Sequence, residues 1–67
     1  MHFEWRRFLP SGHVWELYLG SERFGWFSPR DRIVRQGTEQ LATLPEGLTL
    51  DEMKDMAKVI IMANRRT

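Results

Sequence analysis

Over its first 28 residues the chain alternates apolar and polar positions with a period of two, and over its last third apolar residues recur at helical spacing. The first region holds runs of aromatic and β-branched residues broken by Pro10-Ser11-Gly12 and Gly20-Ser21, which is the chemistry of strands joined by tight turns. Glycine first in a two-residue loop favours a type II′ hairpin at Gly20-Ser21. That loop sets Leu17 opposite Phe24, Trp15 opposite Trp26 and Val14 opposite Phe27, and such cross-strand pairs contribute about 0.2–1 kcal/mol each. At Pro10-Ser11-Gly12 a two-residue loop and a three-residue loop compete. The three-residue loop, with Gly12 left-handed, is preferred because it sets Phe3 against Leu19, Trp5 against Leu17 and Arg7 against Trp15. Phe3, Trp5, Trp15, Leu17, Leu19, Phe24 and Trp26 then share one face.

The far end reads as a helix from about Leu50 to Asn64. Thr49-Leu50-Asp51-Glu52 is a capping box, Leu48 can staple onto Met53, and acids in the first turn with Arg65 and Arg66 at the end complement the helix dipole. Leu50, Met53, Met56, Ala57, Val59, Ile60, Ile61 and Ala63 form a stripe about 200° wide, where about 100° suffices for a core-facing helix. Such breadth implies burial on more than one side. Met62, among charged neighbours, reads as a single exposed apolar residue.

Residues 28 to 48 admit two readings. Ser28-Pro29-Arg30-Asp31 has the form of a helix start, with Gly37 as its end. The alternative, which is favoured, is a turn at Arg30-Asp31 followed by strands around Arg32 to Gln36 and Glu39 to Leu44, because Ile33-Val34 is β-branched and Pro45-Glu46-Gly47 closes the segment with turn chemistry. The expectation is a single α+β domain over residues 1–67, with a three- to four-stranded antiparallel β-meander packed on one C-terminal amphipathic helix. Its parts are a meander over 1–28, irregular structure or extra strands over 29–48, and a helix over 49–65.

With 67 residues and no cysteine, the chain lies near the lower size limit for a self-sufficient core. Disulfides, cysteine-ligated zinc and thiol catalysis are excluded, and a cytoplasmic location is expected. The longest apolar run, Val59 to Ala63, is too short to span a bilayer, and Met1-His2-Phe3-Glu4 lacks the profile of a signal peptide, so no membrane partner is expected. Ten basic residues against nine acidic give no whole-chain electrostatic case for nucleic acid. Arginine is nevertheless concentrated, since residues 1 to 36 hold six arginines and no lysine, with Arg30, Arg32 and Arg35 close together.

Signatures of catalysis are missing. His2 and His13 fall at opposite ends of the first hairpin, Ser11, Ser21 and Ser28 are turn or cap residues, and Gly20 and Gly25 are badly spaced for a phosphate loop. Asp51, Glu52 and Asp55 serve the helix start or its solvated face. Neither an enzyme nor a bound metal or cofactor is expected.

The second sheet face is more informative. By these registers it carries Glu4, Arg6, Phe8, Val14, Glu16, Tyr18, Arg23, Gly25 and Phe27, with aromatics among arginines. Such a face can supply the anchors of a protein interface or stack unpaired bases. The competing expectation is that residues 30 to 44 fold over it and complete the core. Candidate partner-binding residues are therefore Arg6, Phe8, Tyr18, Arg23 and Phe27 on the face, with Arg30, Arg32 and Arg35 in the following loop.

The hairpin Trp15-Glu16-Leu17-Tyr18-Leu19-Gly20 with Phe24-Gly25-Trp26, and the helix start Leu48-Thr49-Leu50-Asp51-Glu52-Met53-Lys54, give the chain a resemblance to small bacteriophage- and prophage-encoded proteins. That resemblance implies a non-catalytic module that binds and blocks a host protein, anti-CRISPR inhibitors among them, or that binds DNA. A three-stranded sheet backed by one helix also resembles AP2-type and integrase arm-binding domains, which implies nucleic acid as the alternative partner. A homodimer formed through the over-wide helix stripe is the third expectation.

Overall fold

A computed structural model describes residues 2–65. Five strands and one helix follow in the order β1 (Phe3–Phe8), β2 (Val14–Leu19), β3 (Glu22–Phe27), β4 (Ile33–Gln36), β5 (Glu39–Thr43) and α1 (Leu50–Arg65). All strands lie in one antiparallel sheet in sequence order, so the meander gains one strand over the upper expected count. Each connection is a local hairpin or turn, which keeps the cost of chain closure low.

The first hairpin takes the register expected of it, with Phe3 opposite Leu19, Trp5 opposite Leu17 and Arg7 opposite Trp15. Gly12 lies at φ 76° and its N–H donates to the Phe8 carbonyl at 2.9 Å. The second hairpin begins as expected, since Leu19 opposes Glu22 around Gly20 at φ 64°. It then departs. Tyr18 opposes Arg23 but Leu17 opposes Gly25, so Phe24 is an extra residue in a β-bulge.

Beyond that bulge every side chain of β3 changes face relative to the regular register. Trp15 faces Phe27 and Glu16 faces Trp26, instead of Trp15 facing Trp26 and Val14 facing Phe27. The cause lies at Gly25. A Cβ there would stand 2.7 Å from Ile61 Cδ1, 2.8 Å from Ile61 Cγ1 and 2.9 Å from the Arg35 carbonyl oxygen. The helix therefore seats Ile61 directly on the strand backbone, which only glycine permits. Gln36 completes the joint: its amide donates to the Phe24 carbonyl at 2.6 Å and its Oε1 accepts from Asn64 of the helix at 2.6 Å.

Residues 29–48 adopt the strand reading. Ser28 Oγ accepts from the Arg30 N–H, Asp31 accepts from the Ile33 N–H at 3.0 Å, and the chain reverses through Arg32 at φ 59°. β4 then pairs with β3, placing Val34 opposite Phe27 and Arg35 opposite Trp26. A second bulge leaves Leu41 as the extra residue between β4 and β5. β4 and β5 thus widen the sheet in its own plane instead of folding over its second face.

At α1 the capping box forms as the sequence requires, with Thr49 N–H donating to Glu52 Oε1 at 2.8 Å and Glu52 N–H to Thr49 Oγ1 at 3.2 Å. The helix packs chiefly over β3, β4 and β5. Leu17, Phe24, Phe27, Val34, Leu44, Ala57 and Ile61 form the buried core. Trp5, Trp15 and Phe3, expected beneath the helix, are half-buried at the rim of that core. Lys58 Nζ lies 5.0 Å from the Phe3 ring centroid and Lys54 Nζ 3.9 Å from that of Trp15, so lysine stems close the flank of the helix. Met62 is also half-buried against the core, not isolated on the surface.

Candidate functional site

The sheet face opposite the helix stays uncovered, and the bulge decides what it presents. Regular alternation would put residues 23, 25 and 27 outward, whereas the extra residue at Phe24 puts Arg23 and Trp26 outward as neighbours. Their side chains stack, with the Arg23 guanidinium carbon 4.6 Å from the Trp26 ring centroid. Arg23 Nη1 also donates to Glu16 Oε2 at 2.7 Å. Glu16 is only 7 % exposed, and Arg23 is its salt-bridge partner.

A cleft of ≈ 250 Å³ opens beside this group, lined by Phe8, Val14, Glu16, Arg23 and Trp26. Phe8 is 39 % exposed at one side of it. Farther along the face the Arg6 guanidinium carbon lies 4.4 Å from the Tyr18 ring centroid while its Nε donates to Glu4 at 3.0 Å. On the β4 side Arg35, opposite Trp26, donates to Asp31 at 3.2 Å. Slight burial of Asp31 opposes its charge. The Ile33 N–H and the Arg35 guanidinium outweigh that and hold its carboxyl below the ordinary value.

Each arginine of this face therefore has its own carboxylate: Arg6 with Glu4, Arg23 with Glu16, Arg35 with Asp31. Two of the three also bear on an aromatic ring. The result is a charge-balanced surface of stacked rings and paired guanidinium groups around an apolar cleft. Pairing and stacking limit the rotamers these side chains can adopt, which lowers the entropy lost on docking.

Of the residues singled out from sequence, Arg6, Phe8, Tyr18, Arg23 and Arg35 are brought together on this face. Phe27 is not a surface residue: it is 0 % exposed, packed edge-to-face on Trp5 at 5.2 Å between ring centroids. The bulge exchanges it with Trp26, which sequence reasoning had placed in the core. Arg30 and Arg32 do not join the face as a cluster with Arg35. Arg30 is exposed at the turn, and the Arg32 guanidinium reaches the Leu44 carbonyl at 3.4 Å. The available signal for Trp26 was the lone glycine inside a strand, which marks a bulge or a close backbone approach.

Among the described residues no three His, Asp or Glu side chains converge as a metal site requires, and no helix is long and apolar enough to cross a membrane. No protein-family model matches the chain, and no curated protein or solved structure matches it significantly.

Proposed function

We propose that the chain is a non-catalytic binding module that docks on a partner protein through the outer sheet face, with Trp26, Tyr18 and Phe8 as anchors. The observation that carries this reading is the charge-balanced array of aromatic rings and paired arginines around an open cleft. Tyr, Trp and Arg are the residue types that dominate binding energy at protein interfaces, where a central anchor is surrounded by groups that exclude water. A nucleic-acid backbone calls for unpaired cations, and the guanidinium groups here are already committed to carboxylates. That favours protein over nucleic acid.

The style of the sequence, that of small phage-encoded proteins, makes a host protein the expected partner and inhibition the expected outcome, in the cytoplasm. The immobilised chain, incubated with lysate of the host at moderate salt, should recover one protein in stoichiometric amount. Trp26→Ala should weaken that capture by about thirtyfold, the size of a single interface hot spot, while Thr38→Ala in the exposed β4–β5 turn should leave it unchanged. Recovery of no stoichiometric protein would count against the reading. So would retention of nucleic acid that weakens steeply with salt, which supports the alternative partner.

A further inference from the structure

One acceptor stands open in the otherwise apolar cleft of the outer sheet face. Phe8, Val14 and Trp26 give the cleft its apolar walls, and Glu16 and Arg23 complete its lining. Glu16 is the one buried residue of the five, with its side chain 10 % exposed, so its carboxylate lies at the floor. Its Oε2 accepts from Arg23 Nη1 at 2.7 Å, and no donor among the described residues reaches Oε1. No buried side-chain oxygen or nitrogen of the described residues lacks a hydrogen-bond partner, so Oε1 is open to the cleft. A carboxylate can accept about four hydrogen bonds, which leaves room here for a donor brought by a partner.

That oxygen narrows what the cleft can hold. A carboxylate would be repelled by it. A lysine or arginine would meet the Arg23 guanidinium, which neutralises Glu16 and already takes a face of the Trp26 ring at 4.6 Å from its centroid. A leucine or phenylalanine would suit the walls but strip water from Oε1 without replacing it. The group that fits is uncharged, with an apolar body and a hydrogen-bond donor at its far end. At ≈ 250 Å³ the cleft is smaller than the about 300–1,000 Å³ of small-molecule sites, so it holds a single side chain. Tyrosine meets these demands, because its ring packs on the aromatic walls while its hydroxyl, at the tip, reaches the floor; an indole carries its N–H on the flank of the ring. We infer that the cleft takes a tyrosine side chain of the partner, whose O–H donates to Glu16 Oε1. A tyrosine from a partner presupposes that the outer face docks on a protein, as proposed above, but the preference of the cleft can be read without that partner.

Titration of the full chain with capped amino-acid amides, followed by the NMR shifts of the Trp26 indole and the Val14 methyl groups, tests it. N-acetyl-tyrosinamide should shift both and bind at least about fivefold more tightly than N-acetyl-phenylalaninamide, as a hydrogen bond to a charged acceptor implies. The O-methyl ether of the tyrosine probe, which keeps the ring and loses the donor, should bind no more tightly than the phenylalanine probe. A smaller preference, an ether that binds as well as the phenol, or tighter binding of N-acetyl-argininamide overturns the assignment. So does the failure of every probe to move these signals at its solubility limit. Capture of a host protein that depends on Trp26, without a tyrosine preference, would sink the tyrosine assignment alone. A tyrosine preference with no protein recovered from lysate would support the assignment and count against the docking role.

Discussion

Replacing Gly25 with alanine tests whether one missing side chain sets both the helix position and the identity of the outer face. The added Cβ would meet Ile61 Cδ1 at 2.7 Å, Ile61 Cγ1 at 2.8 Å and the Arg35 carbonyl oxygen at 2.9 Å, against about 3.5–4.0 Å for comfortable carbon contact. Ile61 is fully buried, so its rotation is blocked by the core. The Arg35 oxygen belongs to β4 and moves only if the strand moves. Overpacking of this kind costs about 1–3 kcal/mol. Loss of glycine's freedom in the unfolded chain returns about 0.4–1 kcal/mol, leaving a net destabilisation of roughly 1–2 kcal/mol. For a domain of this size that lowers the melting temperature by roughly 5–15 °C. Urea and thermal unfolding followed by tryptophan fluorescence and circular dichroism supply the number.

A double-mutant cycle then assigns the cause. Ile61→Val alone should cost about 0.5–1.5 kcal/mol, but less in the Gly25→Ala background, because removing Cδ1 relieves the shortest contact. A coupling near 0.5–1 kcal/mol is expected. Rescue is partial because the Arg35 oxygen stays. Gly25→Ala within about 0.5 kcal/mol of the parent, or purely additive with Ile61→Val, would refute the argument that Ile61 requires glycine beneath it.

Gln36→Leu should destabilise by about 1–3 kcal/mol in urea unfolding, because it removes both the amide donor to the Phe24 carbonyl and the Oε1 acceptor of the Asn64 amide; a smaller change would mean that water replaces the amide without loss. Asp31 contributes through its depressed carboxyl: the unfolded chain binds that proton more readily, so its stabilisation is present above the ordinary aspartate range and is lost as pH falls below about 4. Asp31→Asn should flatten the acid limb of the stability–pH curve, and an unchanged limb would show that the Arg35 pair is too solvated to matter. Arg32 sits left-handed at φ 59°, so Arg32→Gly should be neutral or stabilising by up to about 1 kcal/mol. A clear loss in thermal unfolding would instead assign the stability to the guanidinium bond with Leu44.

Much of the fold was legible because local signals and pairing signals agreed. The Thr49 to Glu52 capping box and the Gly12 turn each fixed an element by hydrogen bonding that few other sequences at those positions supply. The β2–β3 register was harder, for a physical reason. Trp15 finds an aromatic partner in either register, Trp26 or Phe27, so apolar matching cannot separate them. The decision rests on a contact between Gly25 and Ile61, 36 positions later in the chain, which no periodicity within the hairpin encodes. The candidate site inherited that error at Trp26 and Phe27, while Arg6, Phe8, Tyr18 and Arg23 were unaffected because they lie before the bulge. The spread of Arg30, Arg32 and Arg35 was likewise hidden, since it follows from one left-handed residue between two strands.

The bulge also divides the three tryptophans optically. Trp5 and Trp15 stand at the core rim on the helix side, and Trp26 stands alone on the outer face beneath a guanidinium. Of the three, Trp26 is the indole that should lose access to a collisional quencher when a ligand settles over the cleft it lines. The other two report whether the chain is folded. The molecule thereby carries an internal reference and an occupancy gauge in a single emission spectrum, with no label attached.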